Sequence, residues 1–374
     1  MKSADVLVIG GGPGGLGAAI EAAKMGASVA LADENPRMGG QLYKQIHKFF
    51  GSEAHYAGVR GFEIAKILIG EAKKAGVTLL PETRALGLLD RGEVALLDVS
   101  GQKNARQFTL KAKTVVLATG AKENAVPFPG WTLPGVMTAG AAQTLANIYG
   151  VLPGRRILIL GSGNVGLIVG YQLMQAGARV EGIVEALHCV SGYAVHAAKV
   201  QRAGVPLYLG HTVVAAHGEG HVRGAVVARV DKCFRPVEGT ERAIDCDTVL
   251  LAAGLSPRTE IAAMFGCEMT LERRLGGLMP LHDEGMRTSN PAVYVSGDLA
   301  GVEEASTALD EGRLAGISAA IACGYAANGQ GERIESLKAS LAALRSGPHG
   351  RLRREAKESI LSLSREKGIP GGTL

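Results

Sequence analysis

The sequence predicts an α/β fold made of two similar units, and two observations lead to this prediction. First, an apolar run that ends in a glycine-rich turn occurs at residues 6–15 and again at 157–166. Second, the elements that follow have the same order in both copies, with strands and helices alternating. Alternating strands and helices are typical of parallel sheets covered by helices on both faces. We therefore expect two Rossmann-like, three-layer domains, each with an antiparallel β-meander inserted.

The first copy begins with the apolar strand Val6-Leu7-Val8-Ile9, followed by G-x-G-x-x-G and a helix of small residues. In such a turn the first glycine permits the tight bend, the second lets the backbone approach a pyrophosphate, and the third lets helix and strand pack closely. The N-terminus of the helix offers free N–H groups to the phosphates. The residues expected to contact a nucleotide here are Gly10, Gly12, Pro13, Gly14 and Gly15.

The second copy repeats this pattern after Ile157-Leu158-Ile159-Leu160. The interval from Gly10 to Gly26 is 16 positions, and that from Gly161 to Gly177 is also 16 positions. Two such copies with matched spacing favour two nucleotide sites over ordinary strand-to-helix turns. The residues expected to contact the second nucleotide are Gly161, Gly163, Asn164, Val165 and Gly166, with Gly254 at the end of the closing strand.

Acidic residues end the second strand of each copy. Asp33 and Glu34 follow the strand at 29–32, and Glu185 follows Ile183-Val184. A carboxylate at this place accepts hydrogen bonds from ribose hydroxyls. No arginine directly follows Glu185, and its charge would repel a 2′-phosphate, so we expect NAD(H) rather than NADP(H) in the second site. ATP or ADP would satisfy the same residues.

The remaining elements can be assigned in chain order. In the first copy a glycine pair precedes a polar stretch, a helix at 63–75, a strand at 77–80, a meander over 85–113 and a closing strand at 114–120. The second copy has a strand at 205–209, a meander to about residue 243 and a closing strand at 248–254. A late strand that ends in Gly297-Asp298 has no partner in the second copy, so we expect it to complete the first. The predicted domains are 1–125 with 285–330, then 126–284, then a basic tail at 331–374.

Composition limits the function further. The 374 residues are 47% hydrophobic but contain no long uncharged apolar run, so we expect no membrane span, and no signal pattern precedes the first strand, so a cytoplasmic location is the default. Of the net charge of +5, the tail holds +4 (nine Lys and Arg against five Glu), which disfavours nucleic-acid binding by the main fold. The five cysteines are scattered, which predicts neither a disulfide framework nor a metal or iron–sulfur site in this chain.

With these motifs in order, the chain resembles the two-dinucleotide-domain flavoproteins that include thioredoxin reductase, ferredoxin reductases and lipoamide dehydrogenase. The resemblance covers about residues 4–325 and implies FAD at the first glycine loop and a nicotinamide nucleotide at the second. It also implies a helix start near Glu303 directed at the flavin, although a solvated acidic helix start would explain the same residues. Further FAD contacts implied by it are Gly39, Gly40, Gln41, Ala118, Thr119, Gly120, Gly297, Asp298, Glu304 and Ala305.

The chain departs from the disulfide branches of that family. Those branches need paired cysteines directly after the first glycine pair or just ahead of the second glycine loop. Here the two places are residues 39–44 and 135–143, and neither contains a cysteine. Dithiol–disulfide exchange is therefore excluded.

A closer resemblance is carried by the stretches 40–45, 128–143 and 161–166. They are similar to the α subunits of heteromeric flavoenzymes that oxidise secondary-amine amino acids: dye-linked proline and hydroxyproline dehydrogenases, opine oxidases, hydrogen cyanide synthase and sarcosine oxidase. This resemblance implies a β-type flavoprotein partner that oxidises the amino acid while this chain carries electrons through FAD. No cysteine follows Cys323, so any iron–sulfur centre would belong to another, small subunit.

Two other functions remain open from the sequence. One is a self-sufficient NADH-dependent flavin reductase that donates to a quinone, ferredoxin or dye, and the other is a scaffold whose FAD is structural. No side chain is assigned a catalytic role and none a metal. The tail has apolar residues at helical spacing and a basic segment after them, which suits either a docking helix for a partner subunit or a surface helix. These residues are Ile334, Leu337, Leu341 and Leu344, then Arg351, Arg353 and Arg354.

Overall fold

The computed structural model describes residues 3–89, 92–101 and 105–369. Its strands alternate with its helices as the sequence predicts. The strands are β1 Ser3–Ile9, β2 Val29–Ala32, β3 Thr78–Leu80, β4 Thr83–Leu88, β5 Glu93–Asp98, β6 Arg106–Leu117, β7 Ala121–Glu123, β8 Val136–Thr138, β9 Arg156–Leu160, β10 Arg179–Glu185, β11 Leu207–Leu209, β12 His211–His217, β13 Gly224–Arg229, β14 Arg242–Ile244, β15 Thr248–Leu251, β16 Leu255–Pro257, β17 Met269–Glu272, β18 Gly277–Pro280 and β19 Val293–Val295.

The helices follow the glycine turns and end the chain. They are α1 Pro13–Lys24, α2 Gly61–Lys74, α3 Ala139–Tyr149, α4 Asn164–Gln175, α5 Ala194–Arg202, α6 Glu260–Met264, α7 Ala305–Ala322, α8 Gln330–Leu344 and α9 Gly347–Glu366. A short 3₁₀ turn, Gly297–Ala300, connects β19 towards α7.

The described residues form two compact units. The first contains the chain up to Lys122 and again from Ser256 onward, and the second contains Glu123–Leu255. The pairing of β7 with β16 lies where the chain passes between the units in each direction.

The first unit is built on one seven-stranded sheet in the order β3-β2-β1-β6-β5-β4, with β19 also paired to β6. The sequence suggests separate strands for the end of the meander and for the closing strand, but β6 is a single strand that serves as both. Residues 106–111 pair antiparallel with β5, whereas 111–117 pair parallel with β1 and, at 115–117, with β19. The meander is therefore continuous with the nucleotide-type sheet.

Two helices, α1 and α7, pack closely beside this sheet because glycines face their backbones. A Cβ at Gly312 would stand 1.9 Å from the carbonyl oxygen of Gly14, and one at Gly316 would stand 2.1 Å from that of Ala18. Such distances exclude any side chain at these positions. This contact fixes the start of α7 relative to the first glycine loop.

The second unit has three layers. Its parallel sheet has the order β11-β10-β9-β15-β8, and the meander β12-β13-β14 forms a separate sheet. Alternate residues of β9 point to opposite sides, since Ile157 and Ile159 join the apolar cluster with Leu167 of α4, whereas Leu158 and Leu160 join the cluster beneath the meander. Period-two burial of this kind is that of a strand covered on both faces.

The boundary between the units differs from the predicted one. Residues 256–284, which the sequence analysis assigned to the second domain, group with the first unit. The reason is apolar burial, because Ala262, Phe265 and Cys267 are buried within the core of the first unit. The glycine-loop repeat locates where each domain begins but contains no information about this return.

The C-terminal helices also belong to the first unit. Ile334, Leu337 and Leu341 of α8 are buried in its core, whereas Leu344 is half-buried. Further along, Ile360 of α9 packs into a smaller apolar cluster of the same unit. The apolar stripe that suggested a docking helix is thus used within this chain.

Candidate functional site

In the first glycine loop the middle glycine has space for a side chain, which we call an open position, whereas the two outer glycines have none and are closed positions. Gly10 has φ +106°, and a Cβ there would stand 2.2 Å from the carbonyl oxygen of Ala118. At Gly15 a Cβ would stand 1.7 Å from the carbonyl oxygen of Gly10. At Gly12, by contrast, no described atom lies within 4 Å of the Cβ position. The structure therefore places an open backbone surface at the middle glycine, where the fingerprint needs one for a pyrophosphate.

The N-terminus of α1 is available to an anion. Gly12 is its N-cap and Pro13 its first residue, and within the described residues no side chain caps it and no acid occupies its first turn. Helix N-termini carry unsatisfied N–H groups and a partial positive charge. Pro13 is suited to this place because its missing N–H would have no intrahelical partner.

A buried hydroxyl lies beside this helix end. Ser296 is 1% exposed, and its Oγ has no hydrogen-bond partner among the described residues. That oxygen is 3.0 Å from the place where a Cβ of Gly14 would stand. An unpaired buried hydroxyl is costly, so its position beside the phosphate-type loop fits a polar ligand group there. No sequence motif identifies Ser296.

The two acids after β2 have different roles. Asp33 is buried, its Oδ2 accepts from the N–H of Gly11 at 2.6 Å and its Oδ1 accepts from the N–H of Asn35 at 2.8 Å. Glu34 lies at the surface, where Arg258 donates to it at 3.0 Å. Asp33 thus braces the glycine loop, and Glu34 is the more accessible of the two carboxylates.

Two other predicted segments lie against the same loop. The N–H of Gly39 donates to the carbonyl of Gly11 at 2.7 Å, and a Cβ at Gly40 would stand 2.8 Å from the Cα of Gly12, while Gln41 is exposed. On the opposite side of the loop, the N–H of Ala118 donates to the carbonyl oxygen of Ile9 at 2.8 Å.

The closing strand of the first unit ends in a turn beside this loop. Thr119 Oγ1 donates to the carbonyl of Arg258 at 2.9 Å, and Gly120 has φ +71°. Residues 39–41 and 118–120, which are far apart in sequence, therefore frame the loop from both sides.

The late Gly-Asp pair lies at the start of α7. Gly297 has φ +64°, and its N–H donates to Glu311 Oε2 at 3.1 Å. Burial, together with the nearby charges of Glu311, Glu304 and Glu303, raises the pKa of Asp298 to about 7. Ala305 begins α7 after Glu304, its N-cap.

The acids before α7 are not a solvated helix start. The side chain of Glu303 is only 4% exposed and pairs with Arg345, and Glu304 pairs with Arg353 at 3.3 Å. The alternative of two solvated acids is therefore wrong for Glu303.

A small recess lies beside the first residues of α1 and α7. The first residues of α1 and α7 line it, together with apolar side chains and a histidine from the polar stretch: Pro13, Ala305, Ser306, Leu42, Phe49 and His55. His55 Nε2 lies 2.8 Å from Asp310 Oδ2, and Ser340 Oγ donates to the same oxygen at 2.6 Å. His55 is thereby held by α7, a role that sequence spacing could not indicate because 255 residues separate the partners.

The second glycine loop has the same geometry. A Cβ at Gly161 would stand 2.3 Å from the carbonyl oxygen of Ala252, and one at Gly166 would stand 2.2 Å from that of Gly161. At Gly163 the nearest described atom is Ser191 Oγ, at 3.9 Å. The open and closed positions therefore repeat between the two units.

The residues next to this loop are placed by α4 and by the closing strand. Asn164 Oδ1 accepts from the N–H of Tyr193 at 2.8 Å, whereas Val165 is exposed. Gly254 has φ +89° and accepts from the N–H of Asn124 at 3.0 Å.

Glu185 is occupied by donors of its own unit. Its Oε2 accepts from the N–H and Oγ of Ser162 and from Ser191 Oγ, at 3.0, 2.6 and 3.0 Å, and its Oε1 accepts from the N–H of Leu187 at 3.0 Å. Burial opposes ionisation, but these bonds outweigh it and lower the pKa of Glu185. Only Oε1 retains capacity for a ribose hydroxyl. The contact between Ser162 and Glu185 matches that between Gly11 and Asp33.

All five cysteines are free, and burial raises the pKa of Cys246 to about 12. No group of three or more His, Cys, Asp or Glu side chains that could hold a metal occurs in the part of the chain that the structure describes. Within those same residues, no helix has the length and apolarity needed to cross a membrane.

Known proteins are similar to this chain in sequence. A sequence profile described as pyridine nucleotide-disulphide oxidoreductase matches residues 4–312. The A subunit of opine oxidase from Agrobacterium tumefaciens (strain Ach5) is 34% identical over 340 residues, covering 84% of this chain and 65% of that protein. Hydrogen cyanide synthase subunit HcnB of Pseudomonas aeruginosa is 31% identical over 332 residues, covering 83% of this chain and 70% of that protein. The chain thus spans about two thirds of the length of these relatives.

Solved structures share the fold. Thioredoxin reductase of T. acidophilum superposes with a TM-score of 0.69 at 21% identity, covering 86% of this chain and 99% of that one. L-proline dehydrogenase of P. horikoshii superposes with a TM-score of 0.67 at 23% identity, covering 90% of this chain and 58% of that one. The prediction of two Rossmann-like α/β domains is confirmed.

Proposed function

The chain belongs to the pyridine nucleotide-disulphide oxidoreductase family, and on that premise we propose that it is the FAD-carrying α-type subunit of a heteromeric amino-acid dehydrogenase or oxidase. The amino acid would be a secondary amine such as proline, hydroxyproline, sarcosine or an opine, oxidised by a β-type flavoprotein partner. Relatives named as subunits, hydrogen cyanide synthase subunit HcnB and the A subunit of opine oxidase, support this proposal. A further small iron–sulfur subunit would be compatible with it.

The observation that carries the proposal is a first glycine loop with space and donors for a pyrophosphate in a chain without the dithiol of its family's disulfide branches. The open Gly12, the free N-terminus of α1 and the orphan hydroxyl of Ser296 provide donors and space for a pyrophosphate. The segments where disulfide reductases of this family carry cysteines contain none here. Electrons on a flavin would therefore not leave through a dithiol of this chain.

Different residues of the first unit would hold different parts of FAD. The loop around Gly12 and the first turn of α1 would hold the pyrophosphate, and Glu34 the ribose. Gly297-Asp298 would lie at the ribityl and pyrophosphate region. When bound, FAD would supply the redox chemistry by accepting and releasing electrons. The protein supplies binding and electrostatics, and the N-terminus of α7 would favour negative charge on a bound group.

For the second site we propose NAD(H), ADP or ATP. The free Gly163 position and the N-terminus of α4 suit a diphosphate. The ionised Glu185 would repel a 2′-phosphate, which disfavours NADP(H). If the nucleotide bound here is NADH, this site supports the second candidate function, an NADH-dependent flavin reductase.

Substitutions of matched glycines test the two sites separately. Gly12→Ala and Gly163→Ala each add a methyl group at an open position with ordinary φ, −72° and −66°, so both proteins should fold. We expect Gly12→Ala to weaken FAD binding by about tenfold or more and Gly163→Ala to weaken ADP or NADH binding similarly, because the methyl group blocks the approach of the pyrophosphate.

The matched control for both variants is Gly70→Ala in α2, which also adds a methyl group where no described atom lies within 4 Å but outside both glycine loops, and which should leave both affinities unchanged. Retention of full FAD affinity by Gly12→Ala would contradict the first site.

Anaerobic stopped-flow reduction tests the subunit role. We expect proline, hydroxyproline or sarcosine to reduce the flavin of this chain only after a β-type flavoprotein is added. Reduction by NADH within seconds in the isolated chain would favour the reductase instead. Full amino-acid dehydrogenase activity of the chain alone would exclude the subunit role.

A further inference from the structure

Carboxylates are concentrated at the start of α7, which is unfavourable unless cations balance them. Asp298 lies in the turn before the helix, and the side chains of Glu303 and Glu311 are only 4% and 2% exposed. We call these three residues the α7 acid cluster. Ionised carboxylates removed from water need paired charges and hydrogen bonds.

The balancing cations come from the C-terminal helices. Arg345, directly after α8, donates from Nη2 to Glu303 Oε1 at 2.7 Å and to Glu311 Oε1 at 2.5 Å, and from Nε to Glu303 Oε2 at 3.0 Å. Lys357 of α9 donates to Glu311 Oε1 at 2.7 Å. Both cations are largely buried, with side chains 13% and 5% exposed. Charge-assisted bonds of this kind are among the strongest in proteins.

Glu311 and Lys357 also hold the two ends of the Gly297–Ala300 turn. At its start, Glu311 Oε2 accepts from the N–H of Gly297 at 3.1 Å, so the carboxylate joins the turn to the two cations. At its end, Lys357 Nζ donates to the carbonyl of Ala300 at 2.9 Å. The turn also requires the positive φ of Gly297.

We propose that Lys357 and Arg345 are positioning residues for FAD. They act through Glu311 and Glu303, and they hold the Gly297–Ala300 turn and the start of α7 in the conformation that binds the cofactor. The inference rests on the proposed function of the first site as an FAD site. It gives the basic C-terminal segment a role within this chain.

The test compares three full-length variants. Lys357→Met and Arg345→Met remove the cations, whereas Arg333→Met removes a different ion pair of α8, with Glu21 at 3.0 Å, away from the α7 acid cluster. FAD affinity is measured by titrating the FAD-free protein and following quenching of flavin fluorescence. The midpoint potential of the bound flavin and the melting temperature are measured alongside.

We expect Lys357→Met and Arg345→Met to weaken FAD binding by about tenfold or more, as when a group that orients a ligand-binding residue is lost. The midpoint potential should become more negative, because loss of a buried positive charge disfavours a reduced, anionic flavin. Arg333→Met should change FAD affinity by no more than about twofold even where it lowers the melting temperature.

Two results would overturn the inference: unchanged FAD affinity and potential in Lys357→Met, or an equal loss in Arg333→Met, which would indicate only general destabilisation. Should Lys357→Met not fold, Lys357→Met combined with Glu311→Gln removes one charge of each sign and restores the balance. That double variant should still bind FAD weakly, and wild-type affinity in it would contradict the inference. Absence of FAD binding by the wild-type chain would instead refute the proposed function.

Discussion

At the scale of single residues, Asp298 is held where its ionisation is unfavourable. Burial raises its pKa to about 7, and the charges of Glu311, Glu304 and Glu303 add to this, although a backbone hydrogen bond from Glu303 works in the opposite direction. An aspartate in an unfolded chain has a pKa near 3.9. A residue expected to serve the cofactor therefore reduces the stability of the FAD-free protein near neutral pH.

This imbalance predicts a pH dependence. Between about pH 4 and pH 7 the native Asp298 binds more protons than the unfolded chain does, so the free energy of unfolding falls as pH rises. Asp298→Asn removes this contribution and, relative to the wild type, should gain about 2–3 kcal/mol of unfolding free energy between pH 5 and pH 8. Urea unfolding of the FAD-free proteins at both pH values measures it.

A matched control for this experiment is Glu284→Gln, which changes an exposed acid of the same unit. Its stability relative to the wild type should change little between the two pH values. An equal pH response in both variants would mean that net charge, and not the site of Asp298, sets the effect.

Residue spacing in the sequence was sufficient for the parts of the site that depend on local backbone geometry. Gly10, Gly12 and Gly15 stand at the closed, open and closed positions that the fingerprint requires. Spacing could not separate the role of Asp33 from that of Glu34, because the difference lies in which carboxylate meets the N–H of Gly11. Ser296 was missed because a lone serine before Gly-Asp has no periodic or motif signal.

At the scale of elements, α8 is the part of the tail whose place the sequence left open. Its apolar spacing correctly indicated a helix, and the structure adds that the apolar side faces the first unit. Periodicity reports that one side of a helix is apolar but not which surface covers it. That information lies in contacts with the preceding helix α7 and with α1, which is distant in sequence.

A buried leucine tests this assignment of α8. Leu337 is 2% exposed, so Leu337→Ala should lower the free energy of unfolding by about 2–4 kcal/mol through lost burial and the cavity that remains. Leu352→Ala, at a 55% exposed position of α9, should change it by less than about 0.5 kcal/mol. Denaturant unfolding of the two variants compares them, and equal small effects would mean that α8 contributes little to the fold.

At the scale of the whole molecule, two copies of one nucleotide-binding plan occur in one chain, and each has its own glycine loop. Ligands that bind only the native state slow local opening where they bind. We therefore expect FAD to slow amide hydrogen exchange at residues 10–15 and 297–300, and ADP to slow it at residues 161–166. Hydrogen-exchange mass spectrometry with each ligand measures both.

Gly163→Ala is the control for this measurement. It should reduce the protection by ADP at residues 161–166 and leave that by FAD intact. Protection of residues 10–15 by ADP in this variant would mean that the nucleotide binds at the first loop instead.

The two units differ in how a change in the length of the meander would affect the parallel sheet. In the first unit β6 belongs to the meander and to the parallel sheet at once, so one residue added or lost within β6 would reverse the faces of one part relative to the other. In the second unit β14 and β15 are separate strands in separate sheets, with residues 245–247 between them. The second copy is thus the one in which evolution, or an engineer who inserts a recognition loop, can change the length of the meander without shifting the register of the parallel sheet.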